Sequence, residues 1–289
     1  MTRPAAAIPA KVVGAEIGAI SQIIDARWLM AYAAGLGEED PRYFDTQAPA
    51  GPLAHPLFPV CYEWAAAVAL RHKTIKAELA ALSVHASHHS VIYRMPQAGD
   101  RLLTRGQVIG LRPTRAGTLV TMRLSTVDRN GQPVTTTDYG SVYRGVGTDG
   151  EVHAVAEPLP RPETPPPGEP RWTAVLDVAA QAANVYSECA RIWNPIHTDI
   201  AVARAAGLPG LILHGTATLA LAVSRVVRAE LDGDPGRVRE VAARFSGMVG
   251  LPSRVTVRGL GRAGHLIAFD AVTDAGEPVL SDGVLRGSP

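Results

Sequence analysis

The sequence predicts an α+β protein built from two tandem units, each a long helix set against an antiparallel sheet. Three observations carry this expectation. A proline-rich stretch divides the chain, short motifs recur in the same order on both sides of it, and in each half an apolar helical segment precedes alternating strands.

Residues 158–170 (PLPRPETPPPGEP) hold seven prolines and almost nothing that packs. Such a segment is extended and semi-rigid. It reads as a linker, residues 158–171, between an N-terminal unit (1–157) and a C-terminal unit (172–289). A long surface loop inside one domain is the alternative. Asp40-Pro41-Arg42-Tyr43-Phe44-Asp45 shares an x-Pro-x-x-x-Asp frame with Asn194-Pro195-Ile196-His197-Thr198-Asp199. Further on, Val127–Val134 (VDRNGQPV) parallels Val272–Val279 (VTDAGEPV), each a hairpin signal between β-rich runs. The shared order points to duplication of a unit of roughly 140 residues.

The elements repeat accordingly. In the first half a helix is expected at about Val60–His72, then strands at Arg101–Val108, Leu119–Val127 and Thr135–Tyr143. In the second half a helix at Gly215–Leu231 precedes strands at Arg254–Leu260, Leu266–Val272 and Val279–Leu285. Leu219, Val223, Val226 and Val227 recur at helical spacing and give one apolar face. Thr121, Arg123 and Ser125 alternate with Val120, Met122 and Leu124, as a sheet with one solvated face requires. One helix wrapped by an antiparallel sheet is the hotdog fold, and two in tandem make a double hotdog.

Composition narrows the function. A formal charge of +1 gives no reason to expect nucleic acid or an anionic membrane as partner. With 46% hydrophobic and 19% charged residues, the chain has the make-up of a soluble globular protein with a core. Cys61 and Cys189 are too few for a disulfide framework and point to a reducing compartment. Met1-Thr2-Arg3-Pro4 does not begin a signal peptide, and no apolar run approaches a membrane span. A cytoplasmic protein is expected.

The chemistry is concentrated in residues 186–216. Asn194 and His197 lie three apart around a proline, and His214-Gly215-Thr216 opens an apolar helix 17 residues beyond His197. This pattern resembles the MaoC-like (R)-specific enoyl-CoA hydratases and dehydratases, whose members carry Asp-x-Asn-Pro-x-His followed by His-Gly at a helix start. The resemblance implies a double hotdog whose degenerate first unit shapes an acyl tunnel and whose second unit carries the site. It implies His197 as acid and base, Asn194 as the amide orienting water, and the helix start at His214, Gly215 and Thr216 as the thioester-binding element. The substrate would be an acyl-CoA or acyl carrier protein thioester, with no cofactor and no metal. Two such chains would associate as a homodimer.

The implied division of labour is physically sound. Adding water to a 2-enoyl thioester drives charge onto the carbonyl oxygen, and N–H donors at a helix start stabilise it. Glycine at that start permits close backbone approach. A histidine titrates near neutrality.

This sequence departs from the pattern at Ile192, which stands where the family has its catalytic Asp. Three readings follow: activity lost with thioester binding kept, altered chemistry such as hydrolysis or conjugate addition, or another carboxylate in the role. Glu188 is the candidate for the last. It lies four residues before Ile192, on a helix expected over Asp177–Ala190 with Asp177 as cap, and residues four apart share a helix face. A solvated helix residue is the alternative, and Asp199 reads as a cap like its counterpart Asp45. In the first unit Asp40 and Tyr43 replace Asn194 and His197, and Phe58-Pro59-Val60 replaces the His-Gly start. Small residues in Trp64–Ala69 leave room for an acyl chain, or equally allow close helix packing. His85, His88 and His89 on a strand would face opposite sides unless a bulge intervenes, so they read as structural. Cys189 reads as a packing residue rather than a nucleophile, and Arg244 as a surface residue or a phosphate contact.

Overall fold

Ten strands pair into one continuous sheet that runs through both halves of the chain. The computed structural model describes residues 6–164, 166 and 168–288. Met1–Ala5, Pro165, Pro167 and Pro289, on which parts of the N-terminal, linker and unit-boundary expectations fall, lie outside the described residues.

In chain order the elements are β1 (Ala7–Pro9), β2 (Glu16–Ile23), α1 (Ala26–Gly35), α2 (Pro59–Thr74), α3 (Ala77–Ala80), β3 (Ser83–Ile92), β4 (Arg101–Thr114), β5 (Gly117–Val127), β6 (Pro133–Arg144) and β7 (Gly147–Asp149). After the proline-rich stretch come β8 (Trp172–Val178), α4 (Ala182–Ala190), α5 (Ile200–Ala205), α6 (Gly215–Glu230), β9 (Val238–Phe245), β10 (Ser253–Ala263), β11 (Leu266–Thr273) and β12 (Pro278–Gly287).

The strand order is β2-β4-β5-β6-β3-β9-β12-β11-β10-β8. Strands before the proline-rich stretch form one end and strands after it the other. The seam is the antiparallel pairing of β3 with β9, from Ser87 opposite Arg244 to Val91 opposite Glu240. Each half lays one 16-residue helix on its own strands, α2 on β4, β2 and β5, and α6 on β9 to β12. The fold is a double hotdog.

Local chemistry explains both central helices. Pro59 occupies the first turn of α2, where its missing N–H costs nothing. Along α6, Leu219, Val223, Val226 and Val227 are all buried, the face that their spacing predicts. Each such side chain contributes about 1.5–3 kcal/mol on leaving water. The turn at Asp40 and the turn after Asp45 are held by side-chain oxygens accepting backbone N–H groups, and Asp199 caps α5 the same way. Asp199 is therefore a cap.

Two expectations need correction. The helix drawn over Asp177–Ala190 begins only at Ala182. Asp177 belongs to edge strand β8, opposite Arg254, whose Nε donates to its carboxylate at 2.7 Å. The three histidines also depart from simple alternation. A register shift between His85 and Ser87 turns His85 onto the side of His88, with the rings 5.5 Å apart. His89 instead meets Glu240 at 2.7 Å.

Candidate active site

A cavity with about 150 Å³ of space reachable by water lies where the two halves meet. Its second-half wall comes from the turn at Asn194–His197 and the start of α6. Its first-half wall comes from α2, β3 and β6.

His197 ends the short turn that begins at Pro195, and is buried. Its Nδ1 lies 2.9 Å from the Ile212 carbonyl, which only accepts, so Nδ1 carries the proton and Nε2 is the basic nitrogen. Burial lowers its pKa to about 4, partly offset by that hydrogen bond, so the ring is neutral at neutral pH. Asn194 starts the turn, yet its side chain caps nothing. In the first half the corresponding Asp40 carboxylate accepts from the Arg42 backbone and guanidinium. The Asn194 amide is thus free to face the cavity that it lines.

His214 stacks on His197 with ring centroids 3.7 Å apart. Burial and the neighbouring His197 push its pKa down to about 2. Its backbone precedes α6, which has no side-chain cap, so the first N–H groups of a 16-residue helix point out unpartnered by any cap. A Cβ at Gly215 would sit 3.1 Å from the Phe245 ring, closer than ordinary contact, so the glycine lets helix and ring close together. Tyr186 and Ser187, on the buried face of α4, brace this start. The Tyr186 hydroxyl donates to Thr216 Oγ1 at 3.0 Å, and Ser187 Oγ lies 3.2 Å from His214 Nε2.

The structure therefore brings Asn194, His197, His214, Gly215 and Thr216 to one cavity, and Ile192 lines it too. It does not bring Glu188 there. Helix α4 buries Ala183, Tyr186, Ser187 and Ala190 and leaves Glu188 exposed. The helix ends at Ala190, and Arg191 follows in the left-handed region at φ 58°, so Glu188 and Ile192 share no helical face. Cys189 packs towards Gly35, outside the cavity lining, and burial raises its thiol pKa. Arg244 is exposed and 3.6 Å from Asp282.

Trp64 and Ala67, in the run expected to leave room for an acyl chain, line the first-half wall, but its buried acid was not foreseen from the sequence. Glu63 on α2 is 2% exposed, and both Thr135 and Thr137 donate to its Oε1 at 2.9 and 3.0 Å. Burial raises its pKa to about 8, against the two threonine hydrogen bonds. The available signal was a lone carboxylate inside the apolar run Val60–Leu70. Also missed was a vestige of duplication: Tyr43, in the place of His197, stacks on buried His55 as His197 stacks on His214. His55 stands ahead of α2 and is followed by Pro56 rather than Gly, so no local motif marks it. Its Nε2 faces Ser224 Oγ at 3.1 Å, and burial lowers its pKa to about 3.

The comparisons with known proteins agree with this architecture. Residues 163–263 match the MaoC like domain family, and residues 11–137 match the FAS1-like dehydratase domain region. The chain is 28% identical over 196 residues, 66% of its length, to the peroxisomal multifunctional enzyme type 2 of Drosophila melanogaster, of which it covers 32%. It is 40% identical over 53 residues, 18% of its length, to the peroxisomal enoyl-CoA hydratase 2 of Arabidopsis thaliana, of which it covers 17%. It thus spans a third or less of the length of these curated relatives. A MaoC-like dehydratase from Phytophthora capsici superposes with a TM-score of 0.80 at 23% identity, covering 95% of this chain and 96% of that one.

Fold and site together define a double-hotdog protein with a cavity between its two halves, into which the second half brings Asn194, His197 and the start of α6. The second half carries a MaoC like domain and the first half a FAS1-like dehydratase domain region, so each half matches a dehydratase-type domain. Among the described residues no helix is long and apolar enough to cross a membrane.

Proposed function

We propose that this chain adds water to 2-enoyl thioesters, or removes it from (R)-3-hydroxyacyl thioesters, carried on coenzyme A or acyl carrier protein. The observation that carries the proposal is that His197 Nε2, the unengaged Asn194 amide and the uncapped start of α6 share one cavity. The thioester carbonyl takes the N–H groups at Gly215 and Thr216. Water, held by Asn194, gives a proton to His197 Nε2 as its oxygen bonds to the β-carbon. The displaced electron pair moves through the α-carbon to the carbonyl oxygen, where the helix start stabilises it. The imidazolium then returns the proton to the α-carbon and the carbonyl re-forms. Because Ile192 is apolar, His197 handles the proton in both directions.

Ile192 also favours a second reading, thioester binding without turnover. Hydration of crotonyl-CoA, followed as loss of enoyl absorbance, separates the two. Turnover that collapses in His197→Ala supports the hydro-lyase. Tight acyl-CoA binding with no turnover supports the binding subunit, and release of free thiol instead identifies hydrolysis. Both cysteines are free, which suits the reducing cytoplasm in which we place the chain.

A further inference from the structure

The first-half wall of the cavity is unlike a hydrocarbon tunnel. Glu63 and His88, each 2% exposed, both line it. Glu63 Oε2 and both ring nitrogens of His88 have no hydrogen-bond partner among the described residues, and neither has Nε2 of the neighbouring His85. Buried polar groups are otherwise satisfied almost without exception, and each one left unpaired costs about 1–3 kcal/mol.

The hydrogen-bond directions show what these atoms offer. Thr135 and Thr137 both donate to Glu63 Oε1, which makes Oε1 the carbonyl-type oxygen. The Tyr62 hydroxyl lies 3.0 Å from Thr135 Oγ1, a contact that leaves the Thr135 hydrogen for Glu63, while the one hydrogen of Thr137 is shared between Glu63 Oε1 and Ser90 Oγ, each 3.0 Å away. With the carboxyl protonated, the hydrogen sits on Oε2, a donor with nothing to donate to. His88, kept neutral by burial, offers one N–H donor and one acceptor. This polar wall is close to the reacting end. Gly215 meets the Phe245 ring, whose centroid is 4.4 Å from that of His85, and His85 is 5.5 Å from His88.

Resting on the thioester reading above, we propose that Glu63 and His88 recognise an oxygen function on the acyl chain. The substrate is then a short acyl thioester carrying a hydroxyl or carbonyl oxygen beyond the β-carbon, and a plain alkyl chain is discriminated against. An alkyl chain would displace water from these atoms and return no hydrogen bond. A hydroxyl satisfies His88 and Glu63 together, and a carbonyl accepts from Glu63.

Isothermal titration with saturated acyl-CoAs tests this without turnover. The probes are butanoyl- to octanoyl-CoA, each beside its terminally hydroxylated and its oxo counterpart, with free coenzyme A as reference. At the length that places oxygen at Glu63, the oxygenated probe should bind about 10- to 100-fold tighter than its alkyl partner. Glu63→Leu and His88→Leu should each erase most of that preference. Glu63→Gln, which keeps a donor beside the carbonyl-type oxygen, should retain it, and retains the test if the leucine variants fail to fold. Which oxygenated series wins distinguishes hydroxyl from carbonyl. Equal or tighter binding of the alkyl probes at every length overturns the proposal, as does a preference that survives in both leucine variants. If no acyl-CoA binds better than free coenzyme A, the thioester reading itself has failed.

Discussion

Glu63 offers a prediction whose size follows from its burial. In the unfolded chain this carboxyl ionises near its ordinary 4.5, and in the fold near 8. Between those values the native state holds a proton that the unfolded state has released. Stability therefore falls as pH rises, by about 1.4 kcal/mol per pH unit, and the loss reaches about 3 kcal/mol by pH 7. The contribution is fully favourable below 4.5 and fully lost above 8. Glu63→Gln removes the titration while keeping an oxygen for Thr135 and Thr137 and a donor in place of Oε2. Urea unfolding followed by fluorescence of the four tryptophans, at half-unit steps from pH 4 to 9, measures both proteins. The difference between them should be flat below pH 4.5, climb at about 1.4 kcal/mol per unit, and level off above 8. Subtraction cancels every other titrating group, and a constant offset from the substitution does not affect the slope. A flat difference from pH 5 to 8 would refute the reasoning, because it would mean that Glu63 is ionised in the fold.

Other expectations follow from the same geometry. Burial lowers His88 to about 3 and His197 to about 4, so as pH falls below the ordinary 6.5 the unfolded chain takes up protons that the fold refuses. Stability should therefore drop between pH 6.5 and 4, and His88→Leu should make that drop shallower in acid titrations of unfolding. His197→Ala should reduce crotonyl-CoA hydration by about 10²- to 10⁴-fold. The acid limb of kcat/KM should lie near pH 4, and a limb near 6.5 would show an exposed rather than a buried base. Ile192→Asp places a second carboxyl in the cavity wall and should raise hydration at least about tenfold. Glu188→Gln, on the exposed side of α4, should leave the rate within about twofold, the change expected when an exposed charge is removed; a large loss would return Glu188 to the site.

The readable parts of the fold are those set by local periodicity. Alternation in Leu119–Val127 and helical spacing in α6 lie within a strand and a helix of nearly those bounds. Strands β2, β8 and β9 were not legible, because each pairs at an edge or at the seam, where long-range partners decide burial. Within the site, Asn194, His197 and His214-Gly215 stand out because a proline turn and a helix start are local devices. The face of Glu188 was misread because four-residue spacing holds only while a helix continues, and α4 stops at Ala190.

The sequence by itself determined the duplicated architecture, the helix that presents Gly215 and the apolar residue at Ile192, since each is written in neighbouring residues. Only the tertiary structure decided what shares the cavity with His197. Pairing of β3 with β9 joins the two halves, and a one-residue bulge turns His85 towards His88. Residues more than a hundred positions apart thereby meet, and Glu63, an ordinary helix carboxylate in the sequence, becomes a buried acid because folding removes its water and supplies partners to only one of its oxygens.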